Sequence, residues 1–476
     1  MVANDVALAG EQDVDAAVAA AEAAFPAWRK TLPNVRRDCM LKLADLIEQS
    51  GLALAEMTRA TLGAPFGSFG SFEINLAAEG FRYFAGWTDK FAGETYPQED
   101  GFLKIVRNEP LGVTCGIIPW NGPLGNVGMK AGPALATGNC FILKPSEKTP
   151  FAALALGTLI REAGFPPGVF QIISGDGSSG ALLASHMKVR KVSFTGSTAT
   201  GRRIQEMAAK SNLKRVTLEL GGKSPAVVFD DCNFENAVTW CANAITANTG
   251  QVCFAASRVY VQEGIYPKFV EAYKKAMEEK IKLIGDPDAD STVIGPLVDQ
   301  MQYDRVNGFL ERGRSQGNLL VGGNKVGDKV RRPPYNHPLF PSCVRSESLT
   351  NFTLAQGFYV QPTVFENVAE DAEICTQEIF GPVAVLNSFK TEEEIVAKAN
   401  DTEFGLMAGV FTQDVNRAMR MAADLDAGMV GVNCVSMCFL QAPFGGNKQS
   451  GVGRENAINA LRMFTETKTV FVNLTY

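Results

Sequence analysis

From residue 113 onward, short apolar runs alternate with amphipathic segments, and this rhythm constrains the fold more than any other feature. Val113–Pro119, Cys140–Leu143, Val169–Ile173 and Lys191–Thr195 read as strands; Leu124–Thr137, Phe151–Ala163 and a segment from Ser197 read as helices. Strands separated by helices pair in parallel, because a crossover of roughly a dozen residues is needed to return the chain to the same end of a sheet. A second block repeats the pattern. Ser224–Phe229 reads as a strand, Glu235–Asn248 and the Lys- and Glu-rich Phe269–Leu283 as helices, and alternation resumes over 383–432. Thr469–Leu474 reads as a last strand. Ahead of these blocks, Val14, Ala17, Val18, Ala21 and Phe25 keep helical spacing, and residues 36–62 also read as helix. The expected class is α/β with mostly parallel sheets. At ~150 residues per domain, 476 residues make room for two to four units. Residues 325–357, with Arg331-Arg332-Pro333-Pro334, Pro338 and Pro341, break the rhythm and read as a long surface loop or insertion.

Composition removes several function classes. With 46% hydrophobic and 20% charged residues the chain is ordinary for a soluble globular protein. A net charge of −6 argues against nucleic acid or anionic membranes as partners. No apolar run reaches the ~18 residues of a membrane span, and Asp5, Glu11, Asp13 and Asp15 stand where a secretory signal would be apolar. The expectation is a soluble, cytoplasmic protein. Ten cysteines without a C-x-x-C pair suggest neither a disulfide scaffold nor a zinc site. The only histidines are His186 and His337, so a His-rich metal centre is excluded and no metal is expected. Proton chemistry falls to carboxylates, Lys or Cys.

Five constellations carry candidate chemistry. Phe194-Thr195-Gly196-Ser197-Thr198-Ala199-Thr200-Gly201 joins a strand to a helix. Its glycines would admit a phosphate to the free N–H groups of the helix N-terminus, or the segment is a plain turn. Lys144-Pro145-Ser146-Glu147-Lys148 follows a strand end, where ligands of open α/β sheets sit, and equally reads as a solvated loop. In Leu218-Glu219-Leu220-Gly221-Gly222-Lys223, Glu219 between leucines is either ion-paired or a general base with a raised pKa. Cys253, in Asn248-Thr249-Gly250-Gln251-Val252-Cys253-Phe254, is a buried inert thiol or a nucleophile. Asn121, in Pro119-Trp120-Asn121-Gly122-Pro123, caps a turn or donates to an oxyanion. Together they describe a thiol, an amide donor, a carboxylate and a nucleotide cradle without histidine.

The sequence resembles the aldehyde dehydrogenase superfamily, in particular its hydrolytic NAD(P)⁺-dependent members, with the markers in family order along the chain. The resemblance covers nearly the whole chain. Its markers are Ile117-Ile118-Pro119-Trp120-Asn121, Gly132-Pro133-Ala134-Leu135-Ala136-Thr137-Gly138-Asn139, Lys144-Pro145-Ser146-Glu147 and Phe194-Thr195-Gly196-Ser197. Leu218-Glu219-Leu220-Gly221-Gly222-Lys223-Ser224-Pro225, Gly250-Gln251-Val252-Cys253, Glu378-Ile379-Phe380-Gly381-Pro382-Val383 and Pro443-Phe444-Gly445-Gly446 follow.

The resemblance implies oxidation of an aldehyde to a carboxylic acid through a thiohemiacetal and a thioester on Cys253. Asn121 and the Cys253 N–H would form the oxyanion hole, Glu219 would activate the hydrolytic water, and Lys130 would assist proton movement. Lys144 and Glu147 would hold the adenosine ribose, Gly196 and Ser197 the pyrophosphate, and Glu378 the nicotinamide ribose beside Phe380. Ile117, Ile118, Pro119, Trp120, Ser146, Gly177, Phe194, Thr200, Gly201 and Leu220 would complete the cofactor site. Glu147 repels a 2′-phosphate, which favours NAD⁺ over NADP⁺, with Lys144 and Lys148 softening the repulsion. The implied fold has two doubly wound domains: a Rossmann-like cofactor domain, residues 1–91 and 111–222 with 451–464 returning to it, and a catalytic domain, residues 223–450. A small β element, residues 92–110 and 465–476, would pair subunits in a homodimer or homotetramer. Family members usually begin with a longer segment that includes a short β hairpin, whereas this chain starts almost at its first helix.

The substrate tunnel would be lined by Gly122, Gly125, Asn126, Met129, Val252, Phe254, Cys438 and Phe444. Gly122, Gly125 and Gly128 recur every three residues, roughly on one helical face. Either they widen the tunnel for a bulky or aromatic aldehyde, or they permit close helix packing. The alternatives at the level of function are a semialdehyde or pathway-specific biosynthetic dehydrogenase, and a non-enzymatic binding protein on the same scaffold.

Overall fold

The structure, a computed structural model, describes residues 6–326 and 357–475. The expected loop over 325–357 therefore lies almost wholly outside the described residues, as does His337.

Two parallel sheets organise the chain. In the first, the strand order is Gly451–Val452, Arg215–Glu219, Lys191–Thr195, Val113–Ile117, Cys140–Lys144, Phe170–Ile172, and only Gly451–Val452 runs antiparallel to its neighbour. The central strands Val113–Ile117 and Cys140–Lys144 are buried along their whole length. That explains why their sequences read as continuous apolar runs rather than alternating ones. The second sheet runs Asn318–Val321, Thr363–Glu366, Val383–Phe389, Ala256–Gln262, Ser224–Val228, Met407–Phe411, Met429–Val432, again parallel apart from the Asn318–Val321 edge. Helices cover both, so the α/β class with two doubly wound units is the observed one. Strands Glu94–Tyr96, Phe102–Pro110 and Thr465–Asn473 make a separate antiparallel sheet. Among the described residues no helix is long and apolar enough to cross a membrane.

The helix expected over 36–62 is two helices, Pro33–Gln49 and Gly51–Leu62. Ser50 breaks the run with φ −90° and ψ 7°, and Gly51 lies against Ile74 of the helix Ser71–Ala85. A tertiary contact thus places the bend where local helical spacing continues.

Register sets the site. Ile117 pairs with Lys144 and Phe194, and Thr195 pairs with Glu219, so these residues share the carboxyl edge of the first sheet. From that edge Leu220–Lys223 crosses directly to Ser224–Val228 of the second sheet. The turns entering Ala256–Gln262 and Val383–Phe389 carry Cys253 and Glu378 to the same seam.

Candidate active site

Leu220-Gly221-Gly222 holds the seam together by close approach. A Cβ on Gly222 would fall 2.5 Å from the Cys253 carbonyl oxygen, and one on Gly221 2.4 Å from a Glu378 carboxylate oxygen. Only glycine admits both neighbours to the backbone. The Gly222 N–H donates to Glu378 Oε1 at 3.0 Å.

Cys253 follows a strained turn. Asn248 and Thr249 have φ of 46° and 56°, and Gly250 continues the left-handed run at 70°. Left-handed backbone is unusual for a β-branched residue and persists only where the surroundings hold it. Gln251 supplies that hold: its Nε2 donates to Asn248 O at 3.0 Å and its Oε1 accepts from Val298 N at 2.9 Å. The Asn121 Nδ2 donates to Gln251 O at 2.9 Å, and Asn248 Nδ2 donates back to Asn121 O at 3.1 Å. The amide of Asn121 is therefore tied to the chain two residues before the nucleophile candidate. Burial, then the charges of Glu378 and Glu219, push the half-buried Cys253 thiol up, so it rests protonated.

Glu219 is 1% exposed and neither carboxylate oxygen has a hydrogen-bond partner. Burial and the nearby Glu455 hold its pKa well above the ordinary carboxylate range, with Lys130 and Arg454 opposing. A Cβ on Gly445 would fall 2.6 Å from Glu219 Oε1, so that glycine keeps space beside the carboxylate. Lys130 is fully buried, ion-paired to Glu455, and 3.2 Å from Ser193 Oγ, which donates to Glu455 Oε1 at 3.0 Å. Sequence reasoning missed Glu455 and Ser193. A charged residue closing the glycine-rich run Gly451-Val452-Gly453-Arg454 was the available signal for Glu455; Ser193, mid-strand, carried none.

The residues singled out for a nucleotide gather along the first sheet's carboxyl edge. Lys144 Nζ donates to Pro145 O at 2.8 Å and Gly175 O at 2.7 Å, which leaves one of its three N–H groups free. Gly177 opens the helix Gly177–Ser185 with nothing within 4 Å of where its Cβ would sit. Ser146 is buried and Glu147 exposed beside it. Ser197 caps the helix Thr198–Lys210, accepting from Thr200 N at 3.3 Å, and this helix end is open to solvent. Next to it Thr195 Oγ1 is buried without a partner, a hydroxyl that a bound molecule would satisfy. Gly196 and Gly201 serve packing: their Cβ atoms would meet the Phe194 ring at 2.5 Å and Leu220 at 2.7 Å. Trp120 stands edge-on to Phe380 at 5.2 Å, next to Ile117, Ile118 and Pro119. Phe380 is left-handed, with φ 61°, and its carbonyl accepts from Gln302 Nε2 at 2.7 Å. Burial raises Glu378 to about 7. Lys148 pairs with Asp299 at 2.6 Å and lies over Trp120.

An apolar cluster of Met129, Leu406 and Phe444, joined by Leu76, Phe254, Met429, Cys438 and Leu440, surrounds Cys253. Phe254 and Phe444 meet edge-to-face at 5.7 Å. Two tunnel expectations change. Val252 packs into the core of the second sheet instead. The glycine row faces the helix Ser71–Ala85: a Cβ on Gly128 would lie 2.5 Å from Ala77 O, and one on Gly125 2.7 Å from Leu76. A Cβ on Gly122 would meet Asn126 Nδ2, which already donates to Gly122 O, at 2.8 Å. Close helix packing accounts for these glycines, and the argument for a widened tunnel loses its ground.

A thiol, an amide and two buried carboxylates at the seam of two doubly wound units define a two-domain α/β enzyme. The family model described as "Aldehyde dehydrogenase family" matches residues 1–348 and 342–470. An aldehyde dehydrogenase of Agaricus bisporus is 43% identical over 472 residues, covering 98% of this chain and 89% of that protein. "Aldehyde dehydrogenase, cytosolic 1" of Mus musculus is 42% identical, covering 97% and 87%. A solved NAD⁺ complex of an aldehyde dehydrogenase from Bacillus cereus superposes with a TM-score of 0.91 at 39% identity, covering 99% of this chain and 90% of that one. The chain belongs to the aldehyde dehydrogenase family, and so to the oxidoreductases that act on aldehydes.

Proposed function

We propose that this protein oxidises an aldehyde to its carboxylic acid with NAD⁺, or less readily NADP⁺, in a reaction covalent on Cys253. The observation that carries this reading is Glu219: a carboxylate buried without partners whose charge acts on the Cys253 thiol. A buried base with a raised pKa suits attack on an acyl group, whereas a structural carboxylate would be paired.

The Cys253 sulfur adds to the aldehyde carbon as the thiol proton passes to solvent water. The developing alkoxide accepts from the Asn121 amide and the Cys253 N–H, donors fixed in place by the Gln251 contacts. When bound, the nicotinamide dinucleotide supplies the hydride acceptor, and the thiohemiacetal becomes a thioester. Glu219, once ionised, takes a proton from water as the water attacks that thioester. The Lys130–Glu455 pair beside it carries the proton onward.

The cofactor reading fits the partnerless Thr195 hydroxyl, the open helix end at Ser197 and the free N–H of Lys144. Lys144 and Glu147 would hold the adenosine ribose, Gly196 and Ser197 the pyrophosphate, Glu378 the nicotinamide ribose. Exposed Glu147 beside that ribose disfavours a 2′-phosphate. The first sheet, with 451–464 returning to it, would be the cofactor domain, and residues 223–450 the catalytic domain. The three-stranded sheet exposes Tyr96, Phe102, Phe471 and Val472, which supports pairing with another copy in a homodimer or homotetramer. The mouse relative is cytosolic by name, and we assign the same setting here.

Absorbance of reduced nicotinamide tests the reading. Purified protein with NAD⁺ and a graded aldehyde panel turns over, and Cys253→Ala abolishes it. No turnover with any aldehyde, or turnover retained without the thiol, refutes it.

A further inference from the structure

An ion pair crosses the seam between the two sheets, and the chemistry above does not use it. Lys148 lies in the loop that leaves the first sheet after Cys140–Lys144. Asp299 caps the helix Gln300–Gly313, which packs on the second sheet through Val306, Phe309 and Leu310. Lys148 Nζ and Asp299 Oδ2 are 2.6 Å apart.

Both ends of this pair are anchored. On the first-sheet side, Ser146 Oγ accepts from Lys148 N at 3.3 Å, and buried Thr149 donates to Trp120 O at 3.1 Å. These bonds tie the loop to the chain just ahead of Asn121. Lys148 Nζ also lies 5.6 Å from the centre of the Trp120 ring, which stands edge-on to Phe380. On the second-sheet side, Asp299 Oδ1 accepts from Gln302 N at 2.9 Å, and the adjacent Val298 N donates to Gln251 Oε1 at 2.9 Å. From the same helix, Gln302 Nε2 donates to Phe380 O at 2.7 Å, and the Arg305 guanidinium donates to Glu378 O at 2.6 Å.

The pair thus joins the two places assigned above to the riboses of a dinucleotide. Lys144 and Glu147 come just before Lys148, and Glu378 and Phe380 are held by the helix that Asp299 caps. A molecule reaching from one ribose site to the other bridges the same two segments as the ion pair.

Building on the dehydrogenase reading, we infer that Lys148 is a positioning residue: paired with Asp299, it latches the 145–150 loop to the helix Gln300–Gly313 and slows the departure of the reduced dinucleotide. It acts through that pairing and does not touch the phosphates. A partly exposed ion pair and a cation–π contact together are worth roughly three- to thirtyfold. A contact of that strength suits a closure that must reopen in every turnover.

Stopped-flow fluorescence of NADH release tests this without any aldehyde. Lys148→Met keeps an apolar stem over Trp120 and removes the charge. Asp299→Asn keeps a side chain able to cap the helix and also removes a charge. Each single variant should release NADH roughly three- to thirtyfold faster than wild type, by the same factor. The double variant should be no faster than either single one. Lys148→Arg should restore slow release, and high salt should narrow the gap between wild type and the charge-removing variants. In turnover the single variants should raise the KM for NAD⁺ more than they lower kcat. Asp299→Asn that slows release while Lys148→Met speeds it overturns the inference and makes Lys148 a direct phosphate contact. Unchanged release in both variants, or effects that add in the double variant, overturns it too. NADH that binds to a protein oxidising no aldehyde sinks the dehydrogenase reading alone, and the release rates still decide the latch. Failure to bind NADH at all refutes both.

Discussion

Adding one methyl group at Gly128 tests how the two helices nearest the seam are built. Its Cβ would stand 2.5 Å from Ala77 O and 3.1 Å from Ala77 Cα, both backbone atoms that no rotamer change removes. Restoring ordinary contact requires the helices Ser71–Ala85 and Gly125–Ala136 to part by roughly 1 Å, and a gap of that size forfeits a quarter to a half of each dispersion contact at the interface. Overpacking of this kind costs about 1–3 kcal/mol, and backbone on both sides places it in the upper part of that range. Replacing Gly by Ala inside a helix returns about 1 kcal/mol. The net expectation for Gly128→Ala is a loss of about 1–2 kcal/mol. Gly157→Ala is the control: it lies exposed in the helix Phe151–Glu162 with nothing within 4 Å of its Cβ, so it should gain about 0.5–1 kcal/mol. Urea midpoints, compared at equal slope, should move in opposite directions for the two variants. A Gly128→Ala protein as stable as wild type, with turnover of bulky aldehydes selectively lost, would refute the packing argument and return these glycines to the tunnel.

Four further outcomes follow from the site. Glu219→Gln should lower steady-state turnover by about 10²–10⁴ while leaving a burst of reduced nicotinamide of one per site, since it removes the base of the second half-reaction; loss of the burst would place Glu219 elsewhere in the cycle. Because the folded pKa of Glu219 lies above its unfolded value of about 4.3, its contribution to stability is present below that pH and is lost as pH rises towards the raised value. Urea midpoints of Glu219→Gln should therefore gain on wild type with rising pH, and an invariant difference contradicts the assignment. The raised Cys253 thiol should be alkylated slowly by iodoacetamide at neutral pH and faster as pH rises, with Glu378→Gln accelerating it; fast, pH-independent labelling that Cys253→Ala removes would mean a resting thiolate. Glu147→Ala should raise the kcat/KM for NADP⁺ relative to NAD⁺ by about tenfold, worth about 1.4 kcal/mol, and an unchanged ratio would take Glu147 off the ribose.

What the sequence determined by itself was local and periodic. Continuous apolar runs such as Cys140–Leu143, separated by helices, dictate buried parallel strands, and the structure has them within a residue or two. Short motifs also placed Lys144, Thr195 and Glu219 at strand ends, where a parallel sheet presents them together. Tertiary structure decided whatever depends on neighbours distant in the chain. Ser50 breaks a helix whose periodicity runs on, because the second half must pack elsewhere. Lys130 and Glu455 are 325 residues apart and meet only when a late strand returns to the first sheet. The glycines at 122, 125 and 128 read equally as tunnel or interface until the helix Ser71–Ala85 was placed against them. Whether Glu219 was paired or bare was likewise open in the sequence, since the cost of a buried charge depends on every group around it and not on the leucines beside it.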